Sequence, residues 1–239
     1  MSALFFLFVL GVIGVIAYQF AKLMLLVGKV PAMPGPFTRI EPSASLRFLF
    51  MGDSTALGTG AVDKTQSVAG WFGQDFPEAH IENFSWNGRL GKELLTDFPS
   101  PAGHFKLVVV QIGGNDILRF TPLNEIEKNL PEIIRRAKML GEHVAILHSG
   151  NVGLAPAFIW SFNVLYTERA RKVREIYIRA ARENGAMYVD LFTERGNDPF
   201  LKDVGGYYSP DFLHPSGQGY LLWYQRIRQT LDGFGVTLN

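Results

Sequence analysis

Residues 105–112 read "FKLVVVQI", a continuous apolar run rich in β-branched side chains. A run of this kind suits a strand covered on both faces, the central position of a parallel sheet. Further apolar runs recur at moderate spacing: "LRFLFM" (46–51), "HIENFS" (80–85), "HVAILHS" (143–149) and "AMYVDLF" (186–192). Between them lie segments of helical periodicity, notably Leu123 to Leu140 and Leu165 to Asn184, the latter studded with Arg and Glu and stopped by Gly185. Alternating strands and helices predict an α/β fold, a parallel sheet with helices on both faces. With 239 residues and 47% hydrophobic content, the chain can bury one sizeable core and still carry an appendage.

The appendage is N-terminal. From Ala3 to Phe20 the sequence "ALFFLFVLGVIGVIAYQF" carries no charge, and "LMLLVG" continues the apolar character between Lys22 and Lys29. This length crosses a hydrocarbon core of about 30 Å. The basic n-region and small-residue cleavage site of a signal peptide are not evident, so residues 1–29 are expected to form an uncleaved membrane anchor helix. The alternative is an apolar helix lying along the domain as a lid or acyl groove. Residues 30–44 are rich in Pro and Gly and read as a linker, which leaves 45–239 as the globular domain. Lys22, Lys29 and Arg39 all follow the span, and by the positive-inside rule this small excess favours a cytoplasmic domain. Span and linker lie wholly upstream of the first candidate catalytic residue, so the anchor is expected to contribute nothing to the chemistry.

Net charge is +1, which offers no global field for nucleic acid, and none is expected as a partner. Cysteine is absent, which removes disulfides, thiolate metal sites and a cysteine nucleophile. Another nucleophile must carry any covalent chemistry.

In a parallel sheet, ligands bind beyond the carboxyl ends of the strands. The first run ends in Gly52-Asp53-Ser54, the second in "NFSWNG" (83–88) and the third in "GGND" (113–116), so all three ends are expected at one crevice. A serine nucleophile needs a base, and the base needs an orienting group. His214 stands out among the histidines because Asp211 lies three residues earlier in "YYSPDFLHPSGQGY". A short turn at that spacing lets the carboxylate hold Nδ1–H and leaves Nε2 free. Pro215 and Ser216 then start the last helix and fix the loop. Backbone N–H groups at Ser54 and Gly88 and the side-chain amide of Asn115 are candidate donors to a developing oxyanion.

The blocks "GDS", "NFSWNG", "GGND" and "DFLHP" stand in the order that marks the SGNH (GDSL-type) hydrolase family, which this sequence resembles over about residues 45–232. The resemblance implies Ser54 as nucleophile, His214 as general base and then acid, Asp211 as its partner, and an oxyanion hole of Ser54, Gly88 and Asn115. It also implies a three-layer α/β/α sandwich around a five-stranded, flavodoxin-like parallel sheet. Arg89 and Leu90 depart from the small polar pair of many relatives, so substrate contacts are expected to differ there.

Other patterns carry less. "GDSTA" lacks the G-x-S-x-G elbow, "GRLGKE" (88–93) lacks P-loop spacing, and "GTG" (58–60) is too short for a dinucleotide fingerprint. No cofactor and no metal are expected. Asp53 is read as structural, and His148 and Ser149 as satisfying backbone groups. "PAFIWSF" (156–162) reads as core or lid packing. The expected function is a membrane-anchored serine esterase acting on small-molecule or lipid-like esters. The alternatives are an acyltransferase on the same fold and a catalytically idle lipid- or glycan-binding module.

Overall fold

The computed structural model describes residues 3–31, 33 and 35–238. Strands β1 (Arg47–Gly52), β2 (His80–Ser85), β3 (Phe105–Gln111), β4 (Gly141–Leu147) and β5 (Met187–Tyr188) form one sheet. Its order is β2-β1-β3-β4-β5 and every pair is parallel, the doubly wound pattern of the flavodoxin type. The fifth apolar run yields only a two-residue strand. Val189 still donates to the Ile146 carbonyl, but the next carboxylate, Asp190, turns to Arg174 Nε and the Phe192 N–H at 3.0 and 3.1 Å and ends the ladder.

The helices are α1 (Ala3–Val27), α2 (Ser54–Leu57), α3 (Val68–Asp75), α4 (Gly91–Thr96), α5 (Gly114–Leu118), α6 (Leu123–Leu140), α7 (Trp160–Asn184), α8 (Val204–Tyr207) and α9 (Gly217–Gly233). Successive strand residues point to opposite faces, so the sheet feeds two cores. Leu49, Met51, Val108 and Val110 meet the buried stripe Ile126, Leu130, Ile133, Ile134 and Ala137 of α6, together with α7. Phe48, Phe50, Leu107 and Val109 face the other way, toward Val68 and Phe72 of α3 and Tyr220, Trp223 and Ile227 of α9. Three layers, α/β/α, result.

α1 is not a free stalk. Most of its side chains are exposed, yet Gln19 is 3% exposed and Leu26 is buried. Gln19 Nε2 donates to the Ala157 carbonyl at 3.1 Å, and its Oε1 accepts from the Ile159 N–H at 2.8 Å. Lys22 Nζ donates to the Pro156 carbonyl at 2.9 Å. A buried amide left unpaired costs about 1–3 kcal/mol, so these bonds fix which turn of α1 meets the domain. They also explain why α7 begins at Trp160 and not at Leu165: Gln19 satisfies the N–H of Ile159, the cap residue of a helix that has no side-chain cap of its own.

The Pro/Gly-rich stretch 30–44, expected as a linker, is likewise tied down in its second half. Phe37 is buried, Arg39 pairs with Ile81 in an antiparallel bridge, and its guanidinium donates to the Phe76 and Gly73 carbonyls, both at 2.9 Å. One aromatic and one arginine in that stretch outweigh its flexible composition.

Candidate active site

The sheet register sets Gly52 beside Ser85 and Gln111, so the first three blocks leave the sheet at one level. Gly52 has φ +154°, and a Cβ there would lie 1.8 Å from the Gln111 carbonyl oxygen. Glycine alone lets the chain turn this sharply against β3. The turn delivers Ser54 as the first residue of α2, whose N–H has no acceptor within the helix. Asp53 lies beneath it, 1% exposed, and accepts from Thr55 N–H (2.9 Å), Thr55 Oγ1 (2.7 Å) and Gly114 N–H (3.2 Å). Burial pushes its carboxyl up, opposed by those donors. Asp53 thus caps α2 and joins the first block to the third.

Ser54 Oγ lies 3.0 Å from His214 Nε2, and His214 Nδ1 lies 2.6 Å from Asp211 Oδ2. An ionised carboxylate only accepts, so Nδ1 carries the proton that donates to Asp211, and Nε2 is left to accept from the serine hydroxyl. The other oxygen, Asp211 Oδ1, accepts from Ser209 Oγ at 2.6 Å and from the Leu213 and His214 N–H groups at 3.0 Å each. Burial alone would raise this carboxyl, but His214 and these further donors bring it down to about 2. It stays charged wherever the protein is folded near neutrality.

The loop holding the pair is pinned on several sides. Phe212 sits at φ +56°, its N–H donates to the Ser209 carbonyl, and its own carbonyl accepts from Ala157 N–H at 3.0 Å. Gly60 passes so close that a Cβ would meet the Pro215 carbonyl at 2.4 Å and His214 Cβ at 2.9 Å. Ser216 Oγ caps α9 by accepting from Gly219 N–H. Sequence alone does not single out Ser209, although it stands two residues before Asp211, a spacing from which a hydroxyl can reach the carboxylate.

Blocks two and three are knitted together beside Ser54. Asn115 Nδ2 donates to the Arg89 carbonyl at 3.3 Å, which leaves its second hydrogen for the cavity, and Asp116 Oδ2 accepts from Gly91 N–H at 2.9 Å. Gly88 and Asn115 both line the cavity with Ser54 and His214. Asn87 also lines it and accepts from Thr59 Oγ1 at 2.6 Å; it lies inside the second block, where nothing in its sequence context gives it a role.

Arg89 corrects an expectation. It does not reach the cavity lining but is fully buried, donating to the Phe84 and Asp97 carbonyls at 3.0 and 2.8 Å, with its guanidinium 3.3 Å from the Trp86 ring centroid. Burial lowers its pKa to about 10, so it remains a cation. Leu90 is buried as the cap residue of α4, with Glu93 Oε2 accepting from its N–H at 2.8 Å. The residues at 89–90 build the loop and do not line the cavity.

A second correction concerns the N-terminus. The cavity, of about 710 Å³, is walled by Val27 and Val30 as well as by Leu213, Val152 and Phe192. Val27 at the end of α1 and Val30 just beyond it therefore belong to the site's surroundings, against the expectation of a wholly separate appendage. The docked Gln19 turn is what carries them there.

Comparison with known proteins adds the lineage. The GDSL-like lipase/acylhydrolase family model matches residues 50–222. No curated protein sequence matches significantly. Among solved structures, Axe2, an acetylxylan esterase from Geobacillus stearothermophilus, superposes with TM-score 0.55 at 21% identity, covering 80% of this chain and 96% of its own. A member of the lipolytic protein G-D-S-L family from Veillonella parvula gives 0.60 at 17% identity over 77% of this chain and 97% of its own. TesA gives 0.58 at 22% identity over 78% and 98%. At these identities the structural likeness establishes a shared fold.

Proposed function

Because the chain belongs to the GDSL-like lipase/acylhydrolase family and is a serine ester hydrolase, we propose that it is a membrane-anchored esterase whose nucleophile is Ser54, with His214 as base and Asp211 as its orienting partner. The observation that carries this reading is the relay from Ser54 Oγ through His214 to Asp211, at 3.0 and 2.6 Å, opening on a largely apolar cavity.

Substrate binds with its carbonyl carbon above Ser54 Oγ. His214 Nε2 takes the hydroxyl proton as Oγ attacks, and Asp211 stabilises the imidazolium while holding its ring in place. The tetrahedral oxyanion accepts from the N–H groups of Ser54 and Gly88 and from Asn115 Nδ2. Collapse expels the alcohol with the proton from His214 and leaves an acyl-Ser54 ester. Water, deprotonated by His214, attacks that ester, and the second collapse returns Ser54 with its proton.

Residues 1–29 act as the anchor. The helix Phe5–Val27 is long and apolar enough to cross a bilayer. Residues 45–239 act as the catalytic domain and 30–44 as the connection between the two. The apolar cavity beside a membrane span favours esters with a lipid-like acyl chain. Initial rates on p-nitrophenyl esters of increasing chain length, with wild type and Ser54→Ala, test this reading: turnover rises from acetate to medium chains and is lost in the variant. Turnover surviving in Ser54→Ala contradicts it.

A further inference from the structure

The side of α1 that does not touch the domain is apolar from Phe5 to Val27. Phe5, Phe6, Leu7, Phe8, Tyr18 and Phe20 are exposed, and the exposed surface continues through Met24, Leu25 and Val27. Lys22, the only charge between Phe5 and Val27, turns inward to the Pro156 carbonyl. The outward surface is thus uninterrupted over 23 residues, about 35 Å at 1.5 Å per residue, slightly more than a hydrocarbon core of about 30 Å.

The domain meets this helix well inside that length. Gln19 stands eight residues before Val27, about 12 Å along the axis, and its side chain holds the peptide groups of Ala157 and Ile159. Whatever is fixed to Ile159 is therefore fixed within reach of the lipid that surrounds the end of α1. Ile159 leads directly into the first turns of α7. There Trp160 is 79% exposed, Val164 51% and Leu165 47%. Trp160 and Val164, four apart, share a helix face. The first charged residue of α7 is Glu168. Trp160, Val164 and Leu165 lie on the outer face of α7, whose buried residues begin only at Ala170, and tryptophan is favoured at the boundary between headgroups and acyl chains.

We infer that the start of α7 is a membrane-seating surface: Trp160, Val164 and Leu165 enter the interfacial layer of the bilayer that α1 crosses. The domain leans on the membrane at two places, α1 and α7, and does not hang from a flexible tether. This seats the cavity walled by Val27 and Val30 at the membrane surface. The inference rests on the anchoring proposed above, and its test separates the two.

The chain has no cysteine, so single cysteines can carry an environment-sensitive nitrobenzoxadiazole label. The full chain is reconstituted in phosphatidylcholine vesicles with labels from Trp160→Cys, Val164→Cys or Leu165→Cys. Phe8→Cys reports the span, and Met139→Cys, exposed on α6, reports water. Each protein is read for emission maximum and for quenching by nitroxide-bearing lipid, after near-ultraviolet circular dichroism has shown native packing. The expected result is a blue-shifted, lipid-quenched emission at 160, 164 and 165, as at position 8, with position 139 unshifted and unquenched. Lipid-like emission at 8 with water-like emission at all three α7 positions overturns the seat while leaving the anchor. Water-like emission at position 8 overturns the anchoring and the seat together.

Discussion

Two histidines follow the strands at the carboxyl edge of this sheet, and they are built for opposite purposes. His214 has Nδ1 fixed by a carboxylate at 2.6 Å and Nε2 facing a serine at the cavity, with its side chain 19% exposed. His148, just past β4, is 1% exposed, stands edge-on to Tyr177 with ring centroids 5.1 Å apart, and has Nε2 engaged by the Tyr188 hydroxyl at 3.0 Å. Burial drives its pKa down to about 4, the nearby Asp190 only partly opposing it. A proton shuttle needs one nitrogen held by an anion and the other open to the reacting group. His148 has neither condition and remains a neutral packing residue, so position at the crevice does not by itself make a histidine catalytic.

This contrast can be broken or sharpened by substitution. The largest effect is expected from His214→Ala, which removes the proposed base and should lower kcat by about 10⁴-fold or more; an equal loss in His148→Asn would erase the distinction between the two histidines. Asn115→Ala should lower kcat by about 10²–10³ with KM nearly unchanged, since the amide is proposed to act chiefly when charge develops on the oxyanion. A pure KM effect would make Asn115 a ground-state binder.

A smaller loss is expected at a distance. Ala157 donates to the carbonyl of Phe212, between Asp211 and His214, and accepts from Gln19. Loosening that peptide shifts the loop, and Gln19→Leu should reduce kcat by about tenfold on a short ester. Unaltered kcat would show the relay to be held without α1.

A last effect falls on stability and not on turnover. Folded His148 stays neutral down to about pH 4, whereas the unfolded chain takes up a proton near 6.5. Its contribution is therefore complete above pH 6.5 and is lost as pH falls toward 4, at up to about 1.4 kcal/mol per pH unit. Urea midpoints at pH 5 and pH 7 should draw together in His148→Asn. A gap as wide as in wild type would place the acid sensitivity elsewhere.

Most of the frame was legible in the sequence because it rests on local signals. The run "LVVVQI" declared a strand buried on both faces, and the glycines and asparagines after each strand marked turns at one edge. D-x-x-H suggested a hydrogen bond that the backbone can close within one loop. What escaped was set by partners far apart in the chain. β5 ends early because Asp190 meets Arg174, α7 starts early because Gln19 satisfies Ile159, 140 positions away, and Arg89 turns inward because the Phe84 and Asp97 carbonyls and Trp86 receive it. None of these leaves a mark in periodicity or spacing. Gln19 and Lys22, polar side chains in an otherwise apolar helix, were the only hints.

The central claim is that Ser54, and no other serine, is made nucleophilic by His214 and Asp211. The most direct measurement is treatment of the full chain with a fluorophosphonate, followed by peptide mass spectrometry of wild type and His214→Ala. A single adduct on Ser54, formed rapidly in wild type and far more slowly without the imidazole, is the predicted result. An adduct on a different residue, or labelling of Ser54 at the same rate in both proteins, would contradict it.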